Sequence, residues 1–99
     1  MFESNKYSVW YFNIIKHAKI RNWSRKTANT YTEKHHIIPR SLGGDDGVEN
    51  TVFLTAKEHY ICHLLLIRFT SENHRAKMLF ALKCMKNRSH TGMKRYSGN

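Results

Sequence analysis

The stretch that decides the fold is Glu33-Lys-His-His-Ile-Ile-Pro-Arg-Ser-Leu-Gly-Gly44, which runs from a strand-forming segment into a loop. Tyr31 to Ile38 is rich in β-forming residues, and Pro39 ends the strand because proline cannot donate to a sheet ladder. Between Arg40 and Asn50, three glycines and two adjacent aspartates predict a loop. Thr51-Val-Phe-Leu54 then predicts a second short strand, so the segment is expected to form a hairpin.

A helix is predicted directly after this hairpin. Thr55 is a suitable N-cap, and Glu58 stands at the third helical position, which completes a capping box. The helix is expected to run to about Phe69. Its segment Ile61-Cys-His-Leu-Leu-Leu-Ile67 is apolar on nearly every side, which predicts burial on most faces.

Two further helices are predicted to flank this core. Apolar residues recur at helical spacing in residues 5–22 and again in residues 71–88, where Ser71 is the expected cap. Residues 89–99 form a basic tail. The prediction is a single α+β domain over residues 1–99, with a strand–loop–strand–helix unit at 31–69, and 99 residues leave room for only a small core.

Two histidines on the predicted central helix stand at ligand spacing. His59 and His63 are four residues apart, so they share one helix face. A divalent metal would satisfy both buried imidazoles at once. The alternative is a pair of core histidines bonded to backbone carbonyls, and the spacing alone leaves both interpretations open.

The adjacent histidines of the first strand point to opposite faces. Either His35 or His36 can therefore face the helix and join a metal site, while the other faces outward. Three imidazoles on one ion leave a coordination position for water or a phosphate oxygen, as catalytic sites require. Neither a HExxH pattern nor a CxxC pair is present in the chain.

The charge of the chain favours an anionic partner. Seventeen Lys and Arg against seven Asp and Glu give a net charge of +10. Residues 1–30 carry +5 and residues 68–99 carry +7, whereas the histidine-rich centre, residues 31–67, carries −2. This distribution favours nucleic acid first and an anionic membrane surface second. The candidate phosphate-contacting residues are Lys16, Lys19, Arg21, Arg25, Lys26, Arg75, Lys77, Lys83, Lys86 and Arg88.

The sequence shows none of the usual signals for membrane insertion or secretion. Its most apolar run has seven residues and contains His63, so a membrane span is excluded. The first six residues are polar and include Glu3, which is unlike a signal peptide. Cys62 and Cys84 cannot make a disulfide framework, and an intracellular, cytoplasmic setting is expected.

In the order of its chemistry-bearing residues, the chain resembles the HNH endonucleases of the ββα-metal (His-Me finger) fold, and especially their small phage-encoded, homing-like members. The resemblance rests on His35-His36-Ile-Ile-Pro39, the Gly43-Gly44 pair, a lone Asn50 before the second strand, and His59-x-x-x-His63 at the helix start. It covers about residues 31–68. It implies a metal-dependent DNA endonuclease that leaves 5′-phosphate and 3′-hydroxyl ends, located in the host cytoplasm if the chain is phage-encoded.

The resemblance also implies roles for individual residues. His36 corresponds to the general base, and Asn50 corresponds to the residue that braces the loop and orients that base. His35, His59 and His63 correspond to ligands of one divalent ion, whose identity among Mg, Mn, Ni and Zn stays open. Glu33 and Arg40 match supporting positions, and Arg40 is suited to holding a phosphate oxygen.

Several alternatives stay open at this point. Asp45 and Asp46 are interpreted as turn residues rather than metal ligands. The aromatic residues of the first helix, Tyr7, Trp10, Tyr11 and Phe12, are interpreted as core rather than as base-stacking groups. The competing function is a non-catalytic DNA-binding module built on the same metal-holding core. Double-stranded DNA is the expected partner, and a homodimer is left open.

Overall fold

The computed structural model describes the backbone of residues 1–90 and the side chains of residues 1–86. Two short 3₁₀ turns, Arg40–Leu42 and Val48–Asn50, lie in the loop between the two strands. The elements in chain order are α1 (Lys6–Arg21), β1 (Glu33–His36), β2 (Thr51–Leu54), α2 (Ala56–Phe69) and α3 (Glu72–His90). The predicted α+β class is confirmed, with three helices and one two-stranded sheet among the described residues.

The hairpin pairs β1 and β2 antiparallel, and its register assigns the histidines to faces. Glu33 pairs with Leu54, and His35 pairs with Val52. Because side chains alternate along a strand, Glu33 and His35 share the face that carries the buried Leu54. Lys34 and His36 share the opposite, more exposed face. The register therefore sends the two adjacent histidines to different environments.

Helix α1 is bounded by two asparagines. The side chain of Asn5 accepts from the backbone N–H groups of Tyr7 and Ser8, and the Ser8 hydroxyl completes a capping box. Asn22 ends the helix with a φ of 50°, a left-handed conformation that asparagine adopts more readily than most residues. The buried face of α1 carries Tyr11 and Ile15 toward the hairpin and α2.

The core lies between α1, the hairpin and α2. Its fully buried residues include Tyr11, Leu54, Leu66 and Phe69. Helix α3 packs against α2 and adds the buried Met78 to the same cluster. The capping box of Thr55 and Glu58, predicted from sequence, is present at the start of α2. None of the helices within residues 1–90 combines the length and the apolar character of a membrane span.

The start of α2 is also tied to the end of α1 by an ion pair. Arg21 donates through both terminal nitrogens to the carboxylate of Glu58, at 2.9 and 2.5 Å, and also to the carbonyl oxygen of Phe53. Its guanidinium lies 3.7 Å from the centre of the Trp23 ring. Arg21 therefore holds the two helices together, and its contact with phosphate stays a prediction.

The first residues of the chain pack against the C-terminal end of α2. Phe2 forms an isolated antiparallel bridge with Thr70. The backbone N–H of Glu3 donates to the Phe69 carbonyl at 2.6 Å, and the N–H of Ser71 donates to the Met1 carbonyl at 2.7 Å. These bonds hold the chain that leads into α1 against the connection between α2 and α3.

Several predicted boundaries differ from the structure. Strand β1 ends at His36 rather than Ile38, because the backbones of Ile37 and Ile38 bond to Asn50 instead of extending the ladder. Helix α3 runs to His90. Residues 89 and 90 of the predicted tail are therefore helical, and its remaining residues, 91–99, lie outside the described residues.

Two aromatic residues of α1 that were expected in the core are exposed. Trp10 and Phe12 are 52% and 43% exposed, and their assignment to the core is wrong because they lie off the Tyr11 face.

Candidate metal centre

Three histidines meet between β1 and α2. One ligand nitrogen from each of His35, His59 and His63 lies within 4.8 Å of the others. The ring centres are 4.9 to 5.4 Å apart, and the rings are steeply tilted to one another. Nitrogens bound to one ion at about 2.1 Å lie no more than about 4 Å apart, so the observed spacing is close to the one that a shared ion requires. The three histidines could hold a metal ion.

The chemistry of this donor set fits a metal better than a packed histidine cluster. His35 is 1% exposed, and burial together with neighbouring His59 and His63 holds its pKa well below the usual histidine value. A neutral imidazole is the form that binds a metal. Three imidazoles in one cluster supply three nitrogen donors, the number found in catalytic sites that keep a further position for water or substrate.

Other side chains bind one ring nitrogen of His35 and one of His59. Tyr11 places its hydroxyl oxygen 2.7 Å from His35 Nε2, and that hydroxyl also donates to the Ile37 carbonyl at 2.7 Å. Glu33 Oε1 lies 2.7 Å from His59 Nδ1, in a contact whose side chains are only about one-tenth exposed. The Tyr31 hydroxyl donates to the other oxygen of Glu33 at 2.8 Å.

His36 lies on the other face of β1 and meets an acidic residue of the loop. Its Nε2 is 2.7 Å from Asp46 Oδ1, and its side chain is 21% exposed. The bond to His36 holds the pKa of Asp46 below its ordinary range, and the nearby Arg40 acts in the same direction. Because an ionised carboxylate only accepts, His36 Nε2 carries the proton of this bond.

Asn50 spans the loop between the strands. Its side-chain oxygen accepts from the Ile38 N–H at 2.9 Å, while its amide nitrogen donates to the carbonyls of Ile38 and Asp45 at 3.0 and 2.9 Å. These bonds tie both ends of the loop to one side chain. The Asp45 carboxylate accepts from the Gly47 N–H at 2.8 Å, which is a turn contact within the loop.

Arg40 and several lysines surround this loop. The Arg40 side chain is 71% exposed, and its Nε lies 3.8 Å from Asp46 Oδ1. Lys34 shares the exposed face of β1 with His36, and Arg25 lies over the Phe53 ring on the neighbouring strand. Lys19 and Lys77 donate to the backbone carbonyls of Glu49 and Ser41, respectively. The exposed cations are therefore found around the His36 face as well as on the helices.

Two contacts of the site escaped prediction from the sequence. Tyr11 is part of an apolar helical stripe, and nothing local distinguishes it from a core residue. The sequence predicts only a turn role for Asp46, because its contact with His36, ten residues away, depends on the loop conformation. Cys62 lies between two of the histidines along α2, but burial raises the pKa of its thiol to about 12, so it behaves as an apolar residue.

The chain is similar to several mobile endonucleases of Enterobacteria phage T4. It is 50% identical to probable mobile endonuclease D over 62 residues, which is 63% of this chain and 24% of that protein. It is 42% identical to probable mobile endonuclease C over 84 residues, covering 85% of this chain and 38% of the relative. Probable mobile endonuclease E is 37% identical over 90 residues, covering 91% and 59%, respectively.

The chain thus spans between about a quarter and three fifths of the length of these relatives. No protein-family model matches it, and no solved structure matches it significantly. These relatives all carry the name probable mobile endonuclease.

Proposed function

We propose that this chain is a metal-dependent DNA endonuclease of the HNH type, acting through a ββα-metal core formed by β1, β2 and α2. The reaction is hydrolysis of a phosphodiester bond that leaves 5′-phosphate and 3′-hydroxyl ends. The observation that carries the proposal is the cluster of His35, His59 and His63 on one face of β1 with His36 on the other. The names of the phage relatives support the same reaction class.

His36 is the general base of this proposal. Its Nε2 hydrogen is directed to Asp46, so in the neutral ring the lone pair is on Nδ1, which can take a proton from the attacking water. An imidazole suits this step because its ordinary pKa lies close to neutral pH. Asn50 fixes the loop that carries Asp46, and in this way it supports the orientation of His36.

His35, His59 and His63 would hold one divalent ion. Such an ion supplies positive charge next to the phosphate oxygens and the leaving 3′ oxygen, where negative charge increases during hydrolysis. The described sheet has two strands, so β1 has one edge that pairs with no strand of residues 1–90. A phosphodiester along that edge would have the histidine cluster on one side and His36 on the other.

The exposed cations would hold the DNA backbone. Arg40 is placed beside the His36–Asp46 pair and can donate to a phosphate oxygen through its planar guanidinium. Lys34 and Arg25 extend the same exposed face of the hairpin. The net charge of +10 adds a general attraction for double-stranded DNA.

A plasmid-nicking assay with a metal-binding control tests this function. Wild-type protein is incubated with supercoiled DNA in Mg²⁺, Mn²⁺, Ni²⁺ or Zn²⁺, and binding of the same ions is followed by calorimetry. His36→Ala should lose cleavage by about 100-fold or more while metal binding persists. Metal and DNA binding without cleavage by the wild type would instead support the non-catalytic module, and cleavage by His36→Ala would overturn the assignment of the base.

A further inference from the structure

Helix α1 contributes one side chain to the metal centre, the buried Tyr11. Its hydroxyl oxygen lies 2.7 Å from His35 Nε2 and 2.7 Å from the carbonyl oxygen of Ile37. Tyr11 is fully buried and His35 is 1% exposed, so both hydrogen bonds are shielded from water. The imidazole, the phenol and the carbonyl form one continuous hydrogen-bonded chain.

The carbonyl at the end of this chain sets the positions of the protons. A carbonyl oxygen only accepts, and a tyrosine hydroxyl has one proton to donate. That proton is therefore directed to Ile37. The second contact of the hydroxyl can form only if His35 Nε2 carries a hydrogen and donates it to Tyr11. In a neutral imidazole, the lone pair is then on Nδ1.

We propose that Tyr11 is a positioning residue for the metal centre, which fixes His35 in the tautomer that presents Nδ1 to the ion. The inference rests on the proposed metal site and adds a residue of α1 to it. Tyr11 acts on His35 as Glu33 acts on His59, since each group binds one ring nitrogen of its histidine and leaves the other ring nitrogen as the candidate ligand. Groups that orient metal-binding histidines in this way affect metal affinity without contacting the ion.

The packing around Tyr11 makes this role separable from a role in the core. The Tyr11 ring packs on Phe69 at 5.1 Å between centroids and meets the His35 ring at 5.8 Å. Tyr11→Phe keeps these ring contacts and removes only the oxygen. A purely structural contribution would then be largely retained, whereas control of the His35 tautomer would be lost.

The tautomer can be observed directly in the metal-free protein. Long-range ¹H–¹⁵N NMR distinguishes imidazole nitrogens that carry hydrogen from those that do not. His35 of the wild type should have hydrogen on Nε2 and none on Nδ1. A wild-type His35 with hydrogen on Nδ1 would overturn the proposal without any variant having to fold.

The variant Tyr11→Phe tests the consequence for metal binding. The Nε2–H tautomer should no longer dominate at His35, and Zn²⁺ affinity measured by calorimetry should fall by about 10- to 100-fold. Tyr7→Phe is the matched control, because it removes a hydroxyl from the same helix one turn before Tyr11. That variant should retain both the tautomer and the affinity of the wild type.

The two readouts separate this inference from the proposed function. A wild type that binds no divalent ion would refute the proposed metal site, while the NMR spectrum of the metal-free protein would still report whether Tyr11 sets the tautomer. A Tyr11→Phe protein that is folded, keeps the Nε2–H tautomer and binds Zn²⁺ like the wild type would overturn the role of Tyr11.

Discussion

Glu33 Oε1 lies 2.7 Å from His59 Nδ1, and this contact joins the first residue of β1 to the first turn of α2. Because a carboxylate accepts, the hydrogen of this bond is on His59 Nδ1. Both side chains are about one-tenth exposed, so the bond is largely protected from competition with water. The hairpin therefore holds one of the histidines contributed by the helix.

Replacing Glu33 should weaken metal binding while preserving the fold. Glu33→Gln keeps the size of the side chain but removes the charge that supports His59. Zn²⁺ affinity measured by calorimetry is expected to fall by about 10- to 100-fold. Glu49→Gln is a suitable control, since it removes an exposed carboxylate from the loop. Equal affinities for the two variants would contradict the role of Glu33.

Asp46→Ala should slow cleavage without changing metal affinity. The substitution removes the acceptor that orients His36, so the rate of plasmid nicking should fall by at least about tenfold. Glu49→Ala is the control, because it removes another exposed negative charge of the loop and leaves both His36 and Asp46 unchanged. If the two variants cleave at the same altered rate, the change in rate comes from the lost negative charge and its effect on DNA binding, and Asp46 does not act by orienting His36.

Gly44→Ala should disrupt the loop that carries Asp46. A Cβ at position 44 would collide with the carbonyl group of Ile38 and with the side-chain amide nitrogen of Asn50. These two groups are hydrogen-bonded to each other and hold the loop together. The backbone itself must move to relieve the first clash, so we expect destabilisation of about 2 kcal/mol or more in urea unfolding. Gly47→Ala meets only the flexible end of Asp45 and should cost much less.

The ion pair between Arg21 and Glu58 should make stability depend on acid pH. The bond from Arg21 lowers the pKa of Glu58 in the folded protein below its ordinary value of 4.5. A lowered folded pKa means that this contribution is fully present above pH 4.5 and is lost as the pH falls through the lower, folded value. Glu58→Gln should therefore reduce the free energy of unfolding near neutral pH and flatten its decline in acid.

Urea unfolding of both proteins at several pH values between 3 and 7 checks this expectation. The difference between wild type and Glu58→Gln should be about 1 kcal/mol at pH 7, because both partners of the pair are partly exposed. The difference should shrink as the pH falls. A difference that stays constant over the whole range would show that the loss comes from the helix cap alone.

DNA binding should depend strongly on salt. With a net charge of +10, the chain should neutralise several phosphates, and the logarithm of the affinity should fall with slope of about −0.9 per phosphate against the logarithm of salt concentration. Arg40→Ala should make this slope shallower by about one contact. A slope near zero in fluorescence anisotropy would contradict backbone binding by the exposed cations.

Local signals in the sequence were sufficient for the elements of the hairpin and of α2. The glycine-rich loop and the capping box of Thr55 and Glu58 act over a few residues, so their effects can be deduced without the fold. The spacing of His59 and His63 likewise follows from helix geometry alone. The co-location of these histidines with His35 in one potential metal site is present in the structure.

Contacts between distant segments could not be predicted in this way. Tyr11 reaches His35 only because α1 packs across the hairpin, and its sequence pattern is that of any buried aromatic residue. Asp46 reaches His36 only because Asn50 folds the loop back on itself. In the sequence Arg21 does not differ from the other cations of α1, and its contact with Glu58 depends on the packing of α2 against α1. Each of these residues has neighbours of the same type in the sequence, and only the tertiary packing determines which of them makes the contact.

The bridge between Phe2 and Thr70 has a consequence for how the protein is made. A ribosome releases α1 first, but the residues before it have no partner until the end of α2 has emerged. Likewise, the contact of Tyr11 with His35 can form only after His35 has emerged, and the histidine cluster can form only after His59 and His63 have followed. The three candidate ligands are therefore all present only after α2 has emerged, when docking of α1 and binding of a metal ion could occur together.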